Sequence, residues 1–499
     1  MKSIVTLMAA ASLLAAVALA QPPRHYTVTD LGTLPGGKFS QAFVVINNGS
    51  VAGLATVADG KQHAVLWQKG LITDISTPGL GGLNSGAFGV NERGQASVQA
   101  ETSTKDPNNE NFCAYGTGLK CLPFLWQDGV MTQLPTLGGN NGTVGQINNR
   151  GEMAGIAENS TRDPKCPSGV AVTGTGPQVL DFEAVIWGPK PGEIRELHPL
   201  PGDTVGMALW INDLGQAVGA SGTCANTILP PVAVGPHAVL WEKDGSVTDL
   251  GNLGGMVNTA LLAVGNVGLF INNHGQVVGA SAVPGDPAGA PSTSSHAFLW
   301  TRETGVDCAA TGLNGCIRDL GTLPGDVGSV GLGANDTGDV VGASLDMSGS
   351  PRAFLWQNGV MTDLNTLIPA GSPLFLLFAE TINSRGEIVG FGATSTGDTH
   401  GFLATLAGTT ASAGPKNATV IARQITLDGT ASFSADGKPL TYLWSIPQGS
   451  PSAAILHGTT ATPEVQFASG RNFYTFQLTV TDSTGTSVSD LATVNFQGN

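Results

Sequence analysis

Three histidines stand at one place in a recurring five-residue block: His63 in HAVLW (63–67), His237 in HAVLW (237–241) and His296 in HAFLW (296–300). Repeated imidazoles would suit a metal ring if they converged. Equivalent residues of a rotationally repeated fold lie far apart, so satisfied structural histidines are the expectation. The recurrent Thr-Asp pairs, as in VTDLGTL (28–34) and SVTDLGNL (246–253), read as hydrogen-bonding groups of strands and turns rather than acid–base catalysts. The chain carries no Gly-x-Ser-x-Gly elbow, His-Glu-x-x-His helix, phosphate loop or calcium-loop spacing. No catalytic residue, cofactor or metal is therefore expected.

The elements that would position such groups follow from an internal repeat. The tryptophan block recurs as LPFLW (122–126), EAVIW (183–187) and RAFLW (352–356), with a degenerate GFLAT at 401–405. Successive tryptophans are 59, 61, 54, 59 and 56 residues apart. A second block, Ile-Asn-x-x-Gly-x-x-x-Gly, gives seven copies carrying Asn47, Asn91, Asn148, Asn212, Asn272, Asn335 and Asn383, the copy at 46–53 being one residue short. The third block is Thr-Asp-Leu-x-x-Leu. All three are short, rich in Val, Ile, Leu, Phe and Trp, and bounded by glycine turns, which is strand chemistry. Four antiparallel strands in each of seven units predict an all-β seven-bladed β-propeller over residues 21–406. The repeats begin on a lone fourth-strand block and end on a third strand. Residues 27–34 are therefore expected beside 401–406, closing the last blade and removing an exposed edge.

The expected inner strands carry only two charges, Lys38 and Glu380, a poor wall for a hydrolase that needs paired carboxylates. The long insertions lie between second and third strands, at 99–121, 156–182, 220–236 and 280–295. Repeat proteins commonly bind through such a face. Here it would present Phe112, Tyr115, Asn141, Asp203 and Asp326 as a ligand face.

With these blocks in hand, residues 26–406 resemble the extracellular repeat family named for its His-Ala-Phe motif, a triplet present at 296–298, although the Pro123 and Glu183 copies depart from it. The resemblance implies an exported repeat protein without a defined biochemical role. After a linker at 407–419, residues 420–499 hold LDGTAS, PLTYLWSI and FQLTVTDSTG, which resemble polycystic-kidney-disease-like domains, with Pro447-Gln448-Gly449 in place of the usual Gly-Asp-Gly. That implies an immunoglobulin-like β-sandwich with Trp444 in its core and Asp482 to Gly485 as the final hairpin.

Residues 1–20 read as a secretory signal: Lys2, an apolar run from Ile4 to Val17, and Ala18-Leu19-Ala20 for cleavage. A secreted, periplasmic or cell-surface protein is expected, with no transmembrane segment once the signal is removed. The formal charge of −15, or −16 without Lys2, and the lack of a basic cluster disfavour nucleic acid. Export makes the six cysteines legible as disulfides, fifteen pairings being possible. Cys113 with Cys121 and Cys308 with Cys316 close short loops. Cys166 with Cys224 would join insertions of neighbouring blades. The expected function is a non-enzymatic binding or scaffold protein whose partner is an extracellular glycan or protein. The alternatives are a polysaccharide-degrading enzyme acting at the channel mouth and a structural spacer of envelope or matrix.

Overall fold

A computed structural model describes residues 26–498 apart from 77–83, 165, 167–176, 191, 231, 259–263, 286–292, 303–309, 313–314, 369–370, 433, 435–438 and 469. The expected signal segment lies outside the described residues.

Each repeat forms one antiparallel sheet of four strands in chain order. In the first sheet these are Ser40–Val45, Val51–Thr56, Gln62–Gln68 and Leu71–Asp74. The second to sixth sheets repeat the plan within 85–133, 138–197, 205–249, 267–321 and 328–363, the fifth with one added strand. The seventh takes Leu374–Ile382, Ile388–Thr394 and Thr399–Leu406, and its fourth strand is Tyr26–Asp30, with Tyr26 opposite Leu406 and Asp30 opposite Phe402. Among the described residues there is no α-helix, only a 3-10 turn at Leu364–Leu367, and no helix is long and apolar enough to cross a membrane.

The three sequence blocks explain how the sheets stack. The second strands Val51–Thr56, Ala217–Gly222 and Val277–Ala282 are buried at every residue, so both faces of those sheets are covered. The block tryptophan reaches out of its own sheet: the indole N–H groups of Trp67, Trp187 and Trp241 donate to the carbonyls of Leu31, Pro135 and His198 at 2.9, 2.8 and 2.8 Å. The last glycine of the Asn block lies under that ring. A Cβ at Gly53 would collide with the Gln41 carbonyl and the Trp67 ring.

All seven first strands carry a β-bulge near the asparagine. The unpaired residue is Phe43, Phe88, Leu209, Leu269, Leu332 and Glu380 in six sheets, and Gly145 with Gln146 in the third. A bulge re-aims one side chain. Each first strand also lies against the first strand of the next sheet, and Leu374–Ile382 of the seventh lies against Ser40–Val45 of the first.

The C-terminal residues form a sandwich. One sheet orders Ala418–Val420, Ser487–Phe496, Asn472–Thr481 and Thr441–Ser445; the other orders Gln424–Thr426, Glu464–Phe467 and Ala453–Leu456. Trp444 is buried with Phe467, Tyr474, Phe476 and Phe496, and Asp482 to Gly485 makes a hairpin turn. The stretch 407–419, expected as a linker, contributes to this unit. Ala411 and Ala413 are buried in its core, the Ala413 N–H donates to Asp490 at 2.7 Å, and Lys416 pairs with Asp490 at 2.7 Å. Small residues there fit under the sheet edge, which composition alone cannot distinguish from a linker.

Candidate functional site

The Asn block builds a turn and a link at once. In Asn212-Asp213-Leu214-Gly215-Gln216 the Asn212 carboxamide oxygen accepts from the N–H groups of Leu214 and Gln216, both at 3.0 Å. Gly215 takes φ 84°, as a type I turn with a glycine bulge requires. The amide nitrogen donates to the Gln216 side chain at 2.8 Å and to the Asn272 carbonyl of the next sheet at 2.9 Å. The same donation runs from Asn91 to Asn148, Asn148 to Asn212 and Asn272 to Asn335, and from Asn383 to the Ile46 carbonyl. In the first sheet Ile46 occupies the turn position, so Asn47 is not the counterpart of the other six asparagines as its block suggested. The turn Ile46–Ser50 is as long as the others, and the Asn-to-Gly spacing, one residue shorter in this copy, puts Asn47 at its second place.

Asn47 belongs to a second, outer series. Its backbone N–H donates to Glu92 at 3.0 Å, Glu92 to Asn149 at 2.9 Å, Asn149 to Asp213 at 2.8 Å, Asp213 to Asn273 at 2.9 Å and Asn273 to Asp336 at 3.2 Å. Ser384 donates to Asn47 at 3.1 Å. Residues from all seven first strands and their turns line one cavity of about 200 Å³. Its rim is this polar series, and its wall includes Gln146, Thr381, Phe270 and Trp210, whose rings lie 4.5 Å apart. Side-chain amides, three carboxylates and an aromatic face suit a polyhydroxylated, uncharged ligand. The bulged residues Phe43, Phe88, Leu209, Leu269, Leu332 and Glu380 are not among those lining it. Glu380 is the one ionisable group of these six, and burial pushes its carboxyl up to about 8.

This cavity lies at the Asn-turn end of the sheets, opposite the insertions where the ligand face was expected. That expectation is corrected for Phe112 and Asn141, which are buried. Phe112 packs edge-on against Phe182. Asn141 donates to Asp106 and Glu158, each at 3.0 Å. Tyr115 accepts from Gln99 at 3.2 Å, Asp203 from Ser221 at 2.6 Å, and Asp326 is held by Arg352 at 2.7 Å. The loops are also shorter than expected, because second strands run on to Lys105 and Arg162.

Inspection of the inner strands alone missed the buried acids of the insertions. Glu110 accepts from the N–H groups of Val179 and Leu180 at 2.6 and 2.9 Å; Glu158 accepts from Gln178 and from Asn140 and Asn141 at 3.0, 3.1 and 2.9 Å. Burial, with Glu110 beside it, pushes Glu158 up to about 8. These carboxylates tie the insertions of the second and third sheets together. Two disulfides reinforce them: Cys113–Cys121, with Cα atoms 5.9 Å apart, and Cys166–Cys224, at 4.6 Å, joining the third and fourth sheets. For the expected Cys308–Cys316 pair, Cys308 lies outside the described residues. The block histidines pair with fourth-strand aspartates: His63 with Asp74 at 2.8 Å, His237 with Asp249 at 3.1 Å and His296 with Asp319 at 3.0 Å.

Residues 413–496 match a PKD domain family, so the C-terminal sandwich is a PKD-like domain. No curated protein matches the chain. Among solved structures, a PKD domain from the KIAA 1837 protein is 26% identical over 18% of this chain and 86% of that one, with a TM-score of 0.16. A nucleoside hydrolase-related protein of Saccharophagus degradans is 21% identical over 18% of this chain, with a TM-score of 0.17; the match spans only 26% of that protein. The extracellular domain of a hybrid two component system of B. thetaiotaomicron is 9% identical over 95% of this chain and 58% of that one, at a TM-score of 0.38. Overlaps of this quality carry no functional argument.

Proposed function

We propose that the seven sheets are blades of a closed propeller, exported from the cell, and that the protein is a non-enzymatic binding or scaffold protein for a neutral extracellular glycan. The reading rests on one observation above the others: a single cavity to which every sheet contributes, with Trp210 in its wall and an amide and carboxylate rim. The cyclic order of first-strand contacts and the Tyr26–Asp30 strand support closure. The acidic rim favours an uncharged saccharide over a sulfated or uronate-rich one. Glycosidic hydrolysis calls for two carboxylates across a bond. The cavity's three carboxylates are engaged by backbone N–H groups, Glu92 by Asn47, Asp213 by Asn149 and Asp336 by Asn273, which supports a role without catalysis.

The test is affinity electrophoresis and calorimetry of the full chain against neutral and acidic polysaccharides. Binding to a neutral polymer, lost by about tenfold or more in Trp210→Ala, is expected, since a stacked base or sugar ring on an aromatic is worth roughly 1–3 kcal/mol. Binding that Trp210→Ala leaves intact, or hydrolysis abolished by Glu380→Gln, would overturn the reading. The insertions favour a second reading, a structural spacer, because their described parts pack down over Phe112 and Asn141. Absence of retention on every polymer would select it.

A further inference from the structure

In five of the seven sheets a cation or cation-capable side chain on the third strand meets an aspartate of the fourth. His63, His237 and His296 do so, as do His400 with Asp30 at 2.9 Å and Arg352 with Asp363 at 3.0 Å. The third sheet inverts the sign. Glu183 stands at the histidine place, and Glu196, opposite Val185, stands at the aspartate place. Asp181, two residues before Glu183, shares its face of the strand. Asp163 lies beside Asp181.

Two oxygens in this group, Asp181 Oδ1 and Glu183 Oε2, are buried without a hydrogen-bond partner. Glu183 is only 8% exposed, and its other oxygen accepts from Asn159 at 3.2 Å. Unpartnered buried carboxylate oxygens are costly as anions, a cost that a proton or a bound cation relieves. In five sheets a histidine or arginine faces the fourth-strand carboxylate; in the third, among the described residues, none stands at the equivalent place, and His198 reaches only Glu196, at 3.3 Å. The sulfurs of Cys166 and Cys224 lie within 4.8 Å of the Asp163 and Asp181 oxygens, but their disulfide removes them as thiolate donors. The remaining donors are all carboxylate oxygens, the set that hard divalent cations prefer.

We propose that the third sheet binds a divalent cation of the calcium class at Asp181 and Glu183, flanked by Glu196 and Asp163. The ion takes the place that a histidine or arginine side chain holds in five other sheets. It is independent of the cavity at the opposite end.

Calcium is titrated into chelator-stripped full chain by calorimetry, with thermal unfolding followed in parallel. The expected result is a saturable calcium uptake with a rise in unfolding temperature. Asp181→Asn with Glu183→Gln should weaken uptake at least as much as the roughly 10–100-fold typical of losing even an outer partner. Glu183→His, which writes the other sheets' residue into the third, should lose calcium dependence and unfold at a higher temperature than the calcium-free parent. Either no uptake by the parent up to millimolar calcium, the range of weak extracellular sites, or undiminished uptake by Glu183→His overturns the proposal.

Discussion

The Asn212 side chain satisfies four groups in two sheets, and that sets its energetic weight. Asn212→Ala strands the Leu214 and Gln216 N–H groups and the Asn272 carbonyl. A loss on the order of 1–3 kcal/mol is expected in urea unfolding. Asn47→Ala, at an exposed position, should stay within about 0.5 kcal/mol; equal losses would show that the two series are not distinct. Glu380 is a second residue with a measurable signature. Burial raises its carboxyl from the ordinary 4.5 to about 8, so the folded state holds a proton that the unfolded state releases in between. Its contribution is fully present below 4.5 and is lost as pH rises through 8. Glu380→Gln should therefore gain stability relative to the parent progressively across that window, and parallel pH profiles would refute the assignment. Glu380 was visible in the sequence as a lone charge on an inner strand. Its environment was not, because it depends on a bulge between Ala379 and Thr381 that alternation along the strand does not announce.

At the level of the element, the recurring blocks map onto strands with little error, since Trp, Asn-x-x-Gly and Thr-Asp-Leu each mark one strand or its turn. The slip of the first copy shows in the sequence only as a block one residue short, and Ile46 makes the backbone hydrogen bonds that Asn91 makes elsewhere. The insertions were harder still. Asp106, Glu110, Asn141 and Glu158 are polar residues that the packing of the insertions buries, and no periodicity in the insertions marks them. The disulfides test how far those loops are cross-braced. In the chain-entropy picture, replacing the Cys166–Cys224 bridge, 58 residues apart, by serines costs about 4 kcal/mol, against about 2.5 for Cys113–Cys121 at a separation of 8. Denaturant unfolding of both double-serine variants reads the difference, and an equal or reversed order would show that native-state strain, not loop closure, dominates.

For the molecule as a whole, the repeat does most of the organising work. Seven similar sheets are assembled from neighbours in sequence, and their stacking asks little of distant parts of the chain. One element breaks that locality. The strand Tyr26–Asp30 is made before any sheet and used after all of them: Asp30 pairs with His400, 370 residues further on. At a synthesis rate of about 5–20 residues per second, it waits on the order of 20–75 s for its place. Through that interval Thr399–Leu406 does not yet exist, and an interrupted polypeptide never provides it. Such a chain keeps an unpaired β edge at its start, open to proteases and to pairing with other chains. Completion of the seventh sheet thus serves as a record, written into the topology, that translation reached the end of the repeats.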